Sequence, residues 1–170
     1  MMKKIAVLLA AVCLTAMLAG CGDIENTWKT LISHTVDIDC STAEFLDSYQ
    51  SHEGFHGDGT SFYQLQFPDA SAVETIKASD KWHPLPLPDD ITAEIYGFED
   101  DYNYYAPSLI KDNDWDNPLM PKVKNGYYLF IDRQSTLNSS DEPIARDYLN
   151  YTIAIYDTDK NMLYYGEFDM

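Results

Sequence analysis

The chain has 170 residues, with 28 Asp and Glu against 11 Lys and Arg, giving a formal net charge of −17 at pH 7. So acidic a surface repels nucleic acid phosphates and anionic lipid head groups, which excludes functions that rest on a basic patch. The length and the 45% hydrophobic content suit one domain with its own core.

Lys3 and Lys4 precede an apolar run from Ile5 to Leu14, and small residues then lead to Cys21. That is the layout of an export signal, too short and wrongly flanked for a spanning helix. Its last four residues, Leu18-Ala19-Gly20-Cys21, resemble the lipobox of bacterial lipoproteins. The resemblance implies that residues 1–20 are a signal peptide, that a diacylglycerol is joined to the Cys21 sulfur, and that the chain is cut just before Cys21. Palmitate-type acyl chains would then hold the protein to the cell membrane, on the extracytoplasmic face of the envelope. Two chains anchor stably where one is marginal. Cleavage removes Lys3 and Lys4 and no acid, so −17 becomes −19. Cys13 leaves with the signal and Cys21 is modified, so Cys40 stands without an intramolecular partner. Asp37 and Asp39 oppose ionisation of its thiol, and a buried apolar role is expected for it.

Residues 21–34 contain no Gly/Ser-rich spacer and are expected to form a short or partly packed tether, with a single acidic domain over residues 35–170. Thr35 to Asp39 suggests a first strand. Ser41-Thr-Ala-Glu44 has the form of a capping box, and Phe45, Leu46 and Tyr49 give the helix it predicts an apolar side. Gly54, Gly57 and Gly59 stop it. Thr60 to Phe67 alternates as a strand. Pro68-Asp69 ends that strand, and Ser71-Ala-Val-Glu74 is a second capping-box pattern opening a helix to about Ser79. Pro84, Pro86 and Pro88 make residues 82–88 extended. They suit a stiff connector packing Trp82, Leu85 and Leu87 better than a polyproline ligand. Asp89 or Asp90 opens a further short helix to Tyr96.

No period is sustained from Phe98 to Asn125. Beyond Gly126, Tyr127 to Asp132 reads as a strand, and Leu149 to Tyr156 as another. Asp157 to Asn161 is a turn and Met162 to Phe168 a returning strand. Strands following a few short helices predict an α+β fold, an antiparallel sheet with helices on one face.

Three groups of residues carry possible chemistry. His52-Glu53-Gly54-Phe55-His56 resembles the H-E-x-x-H of zinc peptidases, in which a helix sets both imidazoles on one face and the Glu serves as general base. The resemblance implies zinc on His52 and His56. It departs from the longer form of the motif at Phe62, where a third His belongs, and its glycines disfavour the helix. Glu74 is an available third ligand. Asp112, Asp114 and Asp116 hold the first, third and fifth places of an EF-hand-like calcium loop, but Asn117 replaces its Gly and Val123 its closing Glu. Asp157, Asp159 and Asn161 repeat the spacing at a turn, where such residues are ordinary. Tyr104, Tyr105 and Trp115, among acids, offer flat apolar contact with fixed acceptors and suit a sugar or a basic peptide.

Gly54-Phe55-His56-Gly57-Asp58-Gly59 before a strand, Trp82 with Leu85-Pro86-Leu87, and Asn150 to Asp157 together resemble small lipoproteins of Gram-positive bacteria, a group without an assigned activity. The sequence therefore favours a membrane-anchored lipoprotein whose domain binds an extracytoplasmic ligand or protein without catalysis. A zinc-dependent hydrolase built on His52, Glu53 and His56 is the alternative, and a calcium-stabilised adhesion module a third reading.

Overall fold

Asp157 closes a tight turn. Its Oδ1 accepts the N–H groups of Asp159 and Lys160 at 2.9 and 3.1 Å, and Asn161 takes the left-handed φ of 52° that the reversal requires. In this computed structural model, which describes residues 24–52, 57–99, 105–106, 108–112, 117–134 and 149–170, that turn joins the two central strands of a sheet. The chain divides into two compact units, Met1–Ser41 and Thr42–Met170.

Among the described residues the larger unit holds eight strands: β1 (Glu44–Gln50), β2 (Gly59–Gln66), β3 (His83–Pro84), β4 (Phe98–Glu99), β5 (Tyr105–Ala106), β6 (Gly126–Asp132), β7 (Tyr151–Asp157) and β8 (Met162–Asp169). Six form one sheet in the order β1-β2-β8-β7-β6-β3, and β4 pairs with β5. Every pairing is antiparallel. With helices α2 (Ala72–Ala78) and α3 (Asp89–Tyr96), this is the expected α+β class.

β7 is buried along its whole length, so both faces of the sheet are covered at its centre. One face carries a cluster that joins Phe62 of β2, Tyr164 of β8 and Ile153 and Ile155 of β7 to Ile95 of α3 and to Ile110 and Met120. Each aliphatic or aromatic side chain so enclosed stabilises the fold by about 1.5–3 kcal/mol. The opposite face buries Leu65, Leu129, Tyr156 and Leu163, with Phe67 set edge-on to Tyr156 at 5.7 Å between ring centres.

β1 is an outer strand, and here the structure corrects the helix expected after Ser41. Phe45 faces Leu65 and Asp47 faces Gln64, so Leu46 is an extra, bulged residue. The bulge breaks the period-two pattern and leaves the i, i+1, i+4 grouping that imitates a helix. On the other outer edge, β3 pairs with β6 and the Leu85 N–H continues to the Gly126 carbonyl at 3.1 Å. The proline-rich stretch is thus extended at His83–Pro84, as expected, but bends at Leu85 and Pro86, whose peptide bond is cis. α2 lies where expected, but Ser71 makes no side-chain cap. Its own N–H is taken by Asp69 Oδ1 at 2.9 Å instead.

In the smaller unit, residues 24–36 form a helix, α1, where a short tether over residues 21–34 and then a strand over 35–39 were expected. The spacing Ile24–Trp28–Ile32–Val36 is that of a helix. Asp37 leaves the helix with φ 56°, and Val36, Ile38 and Cys40 are buried beyond it. Their alternation reflects this exit and not a strand. The Cys40 N–H reaches back to Ser33 Oγ at 2.9 Å, tying the exit segment to the helix.

Candidate functional sites

The sequence-predicted site residues fall unevenly on the described structure. Cys21, His56, Tyr104, Asp114, Trp115 and Asp116 lie outside the described residues, as does Glu53. Tyr105 is placed only as backbone, paired with Glu99 in the two-stranded β4–β5 sheet. Asp112 lies next to the bridge between Lys111 and Pro118, its N–H directed at the Asn117 carbonyl at 3.5 Å. No group of three or more potential metal ligands occurs among the described residues. Asp157, Asp159 and Asn161 form the β7–β8 turn, where Asp157 bonds to backbone and Asp159 Oδ2 accepts from Asn125 Nδ2 at 2.8 Å.

His52 follows β1 in chain that is neither helix nor strand. Both its ring nitrogens are engaged. Nδ1 lies 3.3 Å from Ser61 Oγ, and Nε2 lies 3.3 Å from Asp169 Oδ2. Asp169 Oδ1 in turn meets Arg133 Nη2 at 2.9 Å, and the same nitrogen donates to the carbonyls of Tyr151 and Phe168 at 3.0 and 3.1 Å. Gly59 makes the close approach possible, because a Cβ there would stand 2.7 Å from the His52 backbone.

A serine, a histidine and an aspartate in line invite comparison with the nucleophilic triad. Ser61 is only 3% exposed, unlike a nucleophile that must meet a substrate carbonyl. The line instead ties the end of β1 to the beginning of β2 and the ends of β6 and β8. Nothing in the H-E-x-x-H spacing foretold these partners, which lie far apart in sequence and meet through the register of β2 and β8.

A second polar group continues along the same side of the sheet. The Tyr165 hydroxyl donates to Glu167 Oε1 in a short hydrogen bond, and Thr152 Oγ1 lies 3.5 Å from that oxygen. The Gln50 amide donates to the Tyr63 hydroxyl, whose pKa is raised, chiefly by burial. Tyr151 and Tyr156 are buried with hydroxyls that have no hydrogen-bond partner among the described residues.

The larger unit also carries a half-open cavity of about 230 Å³ beside α3, with walls from Leu85, Leu87, Val123 and Ile155. Thr92 and Tyr96 line it but direct their hydroxyls away, to the carbonyls of Pro88 and Pro121, both at 2.8 Å. Burial pushes the Tyr96 phenol up to about 12. The cation is Lys122, whose Nζ stands 5.5 Å from the centre of the Tyr96 ring. Sequence reasoning assigned Leu85 and Leu87 to packing and missed the cavity, which arises only when β3, α3 and the 119–123 segment converge. The smaller unit has a more polar hollow of about 340 Å³, lined by Lys29, Ser33, His34 and Asp39 among others. Its Ser33 hydroxyl is committed to Lys29 O and to Cys40 N, and its Asp39 carboxylate is held by Ser41, whose hydroxyl and N–H lower its pKa.

No family model, curated protein or solved structure matches this chain.

Proposed function

We propose that the protein is a lipoprotein held on the extracytoplasmic face of the cell membrane through Cys21, and that its acidic domain acts by binding a partner and not by catalysis. The observation that carries the reading is Leu18-Ala19-Gly20-Cys21 behind a basic and apolar leader. No described helix is long and apolar enough to cross a membrane. We read the short helices as lying to one side of the sheet, where Ile95 of α3 joins the core cluster.

The cavity beside α3 supports the binding role. Its volume of about 230 Å³ is below the range of roughly 300–1,000 Å³ usual for small-molecule sites. Apolar walls of that size suit one aliphatic or aromatic side chain of a partner protein. The surrounding acidic surface, at −17 for the whole chain, favours a partner with basic residues around that anchor. Mass analysis of the Cys21 peptide, together with fractionation of wild type and Cys21→Ser, tests the reading. A diacylglycerol on Cys21, and loss of the variant from the membrane fraction, are expected. An unmodified thiol on protein that is free in the medium would overturn it.

A further inference from the structure

Four large apolar side chains are strongly exposed among the described residues, and two of them, Ile24 at 63% and Leu31 at 50%, lie on α1. They are seven positions apart, so at 100° per residue they fall within about 20° of one another around the helix, roughly 10 Å apart along it. Trp28, half-buried, lies between them along the helix and about 40° round from Ile24, toward the buried side. The buried side of the helix, marked by Ile32 and Val36, is a separate stripe. Asn26, Thr30 and His34 occupy the exposed polar side.

Ile24 follows Cys21 by three residues, which even fully extended span no more than about 11 Å. If Cys21 carries lipid, the first turn of α1 is confined to the interfacial layer. We propose that α1 rests along the membrane surface, with Ile24 and Leu31 inserted at the boundary between head groups and acyl chains. This inference rests on the lipid-anchor reading of Cys21 and gives α1 a fixed orientation at the surface. The contact is apolar. Glu25 and Lys29 on the helix offset one another and the chain as a whole is acidic, so no anionic lipid is required. Two side chains are too few to hold the protein without its acyl chains, so the contact orients α1 and does not recruit the protein.

The test uses the full lipoprotein purified from membranes, with the mass of Cys21 verified, in a Cys40→Ala background. A nitroxide is placed at Leu31→Cys or at Asn26→Cys, and the protein is reconstituted into phosphatidylcholine vesicles. The label at 31 is expected to collide several-fold more with lipid-soluble oxygen, relative to a water-soluble nickel chelate, than the label at 26. Equal ratios at the two positions on lipidated protein would overturn the inference. So would shielding of position 31 from both quenchers, which would mark a protein contact. An unmodified Cys21 would instead remove the anchor reading, an outcome read from the mass alone.

Discussion

Arg133 grips Asp169 at 2.9 Å from the end of β6, across the strand that separates β6 from β8. The same guanidinium nitrogen caps the carbonyls of Tyr151 and Phe168, so one side chain fastens the ends of three strands. Arg133→Ala is expected to destabilise the fold by about 1–2 kcal/mol, more than a surface ion pair alone, because two carbonyls also lose their donor. Arg133→Lys should recover only part of the loss, since an ammonium carries three donors but on a more flexible and more strongly hydrated group. Denaturant unfolding of both variants checks this, and equal stability of wild type and Arg133→Ala would refute it.

Two glycines of the sheet make contrasting predictions. A Cβ on Gly126 would stand 1.9 Å from the Tyr156 carbonyl oxygen, which is fixed in β7. Gly126→Ala should therefore cost more than about 3 kcal/mol or shift the β6–β7 register. At Gly166 the nearest atom is Ile110 Cδ1 at 2.6 Å, the tip of a side chain that can rotate. Gly166→Ala should cost about 1–2 kcal/mol. Reversal of that order in thermal melts would sink the distinction.

Burial pushes the Cys40 thiol from its ordinary 9.0 up to about 11, with Asp39 adding to the rise and Ser33 and Lys29 opposing it. The sign follows directly. The folded protein keeps the proton while the unfolded chain loses it, so the contribution is full below pH 9 and lost as pH rises toward about 11. The loss is roughly 2 kcal/mol. Tyr96 and Tyr156, raised from 10.0 to about 12, extend the decline to higher pH. Cys40→Ala should flatten the stability curve between pH 9 and 10 and lessen its slope from there to about 11, leaving the tyrosine limb that begins near pH 10. A curve unchanged by the substitution would show that the thiol is not its source.

The binding reading and the zinc reading separate on metal. Chelators are expected to leave the melting temperature of the purified domain unchanged, with no stoichiometric zinc by elemental analysis. Zinc at one per chain, lost in His52→Ala and in His56→Ala, would favour the hydrolase. Calcium-dependent melting abolished by Asp112→Ala and Asp114→Ala would favour the adhesion module.

Much of the sheet was legible because β2, β6, β7 and β8 keep a strict alternation or an apolar run bounded by turn residues, and Asp157 to Asn161 spells out its own reversal. α3 was marked by the paired aspartates after Pro88. β1 was not legible, since the bulge at Leu46 disguised its period and Ser41 and Glu44 fell at capping distance without a helix between them. α1 had a clear signal in Ile24, Trp28, Ile32 and Val36, which the expectation of a tether passed over. The polar line through His52 was beyond reach, because Ser61, Arg133 and Asp169 are brought to it by strand register. The cavity beside α3 likewise depends on three separate segments.

The outermost strand bears on how such molecules tolerate one another. Bare strand edges zip together into ribbons where molecules meet at high density. β1 presents such an edge, but Leu46 buckles it and Glu44 and Asp47 stud it with negative charge. An edge so buckled and charged resists pairing with the strand edge of another copy.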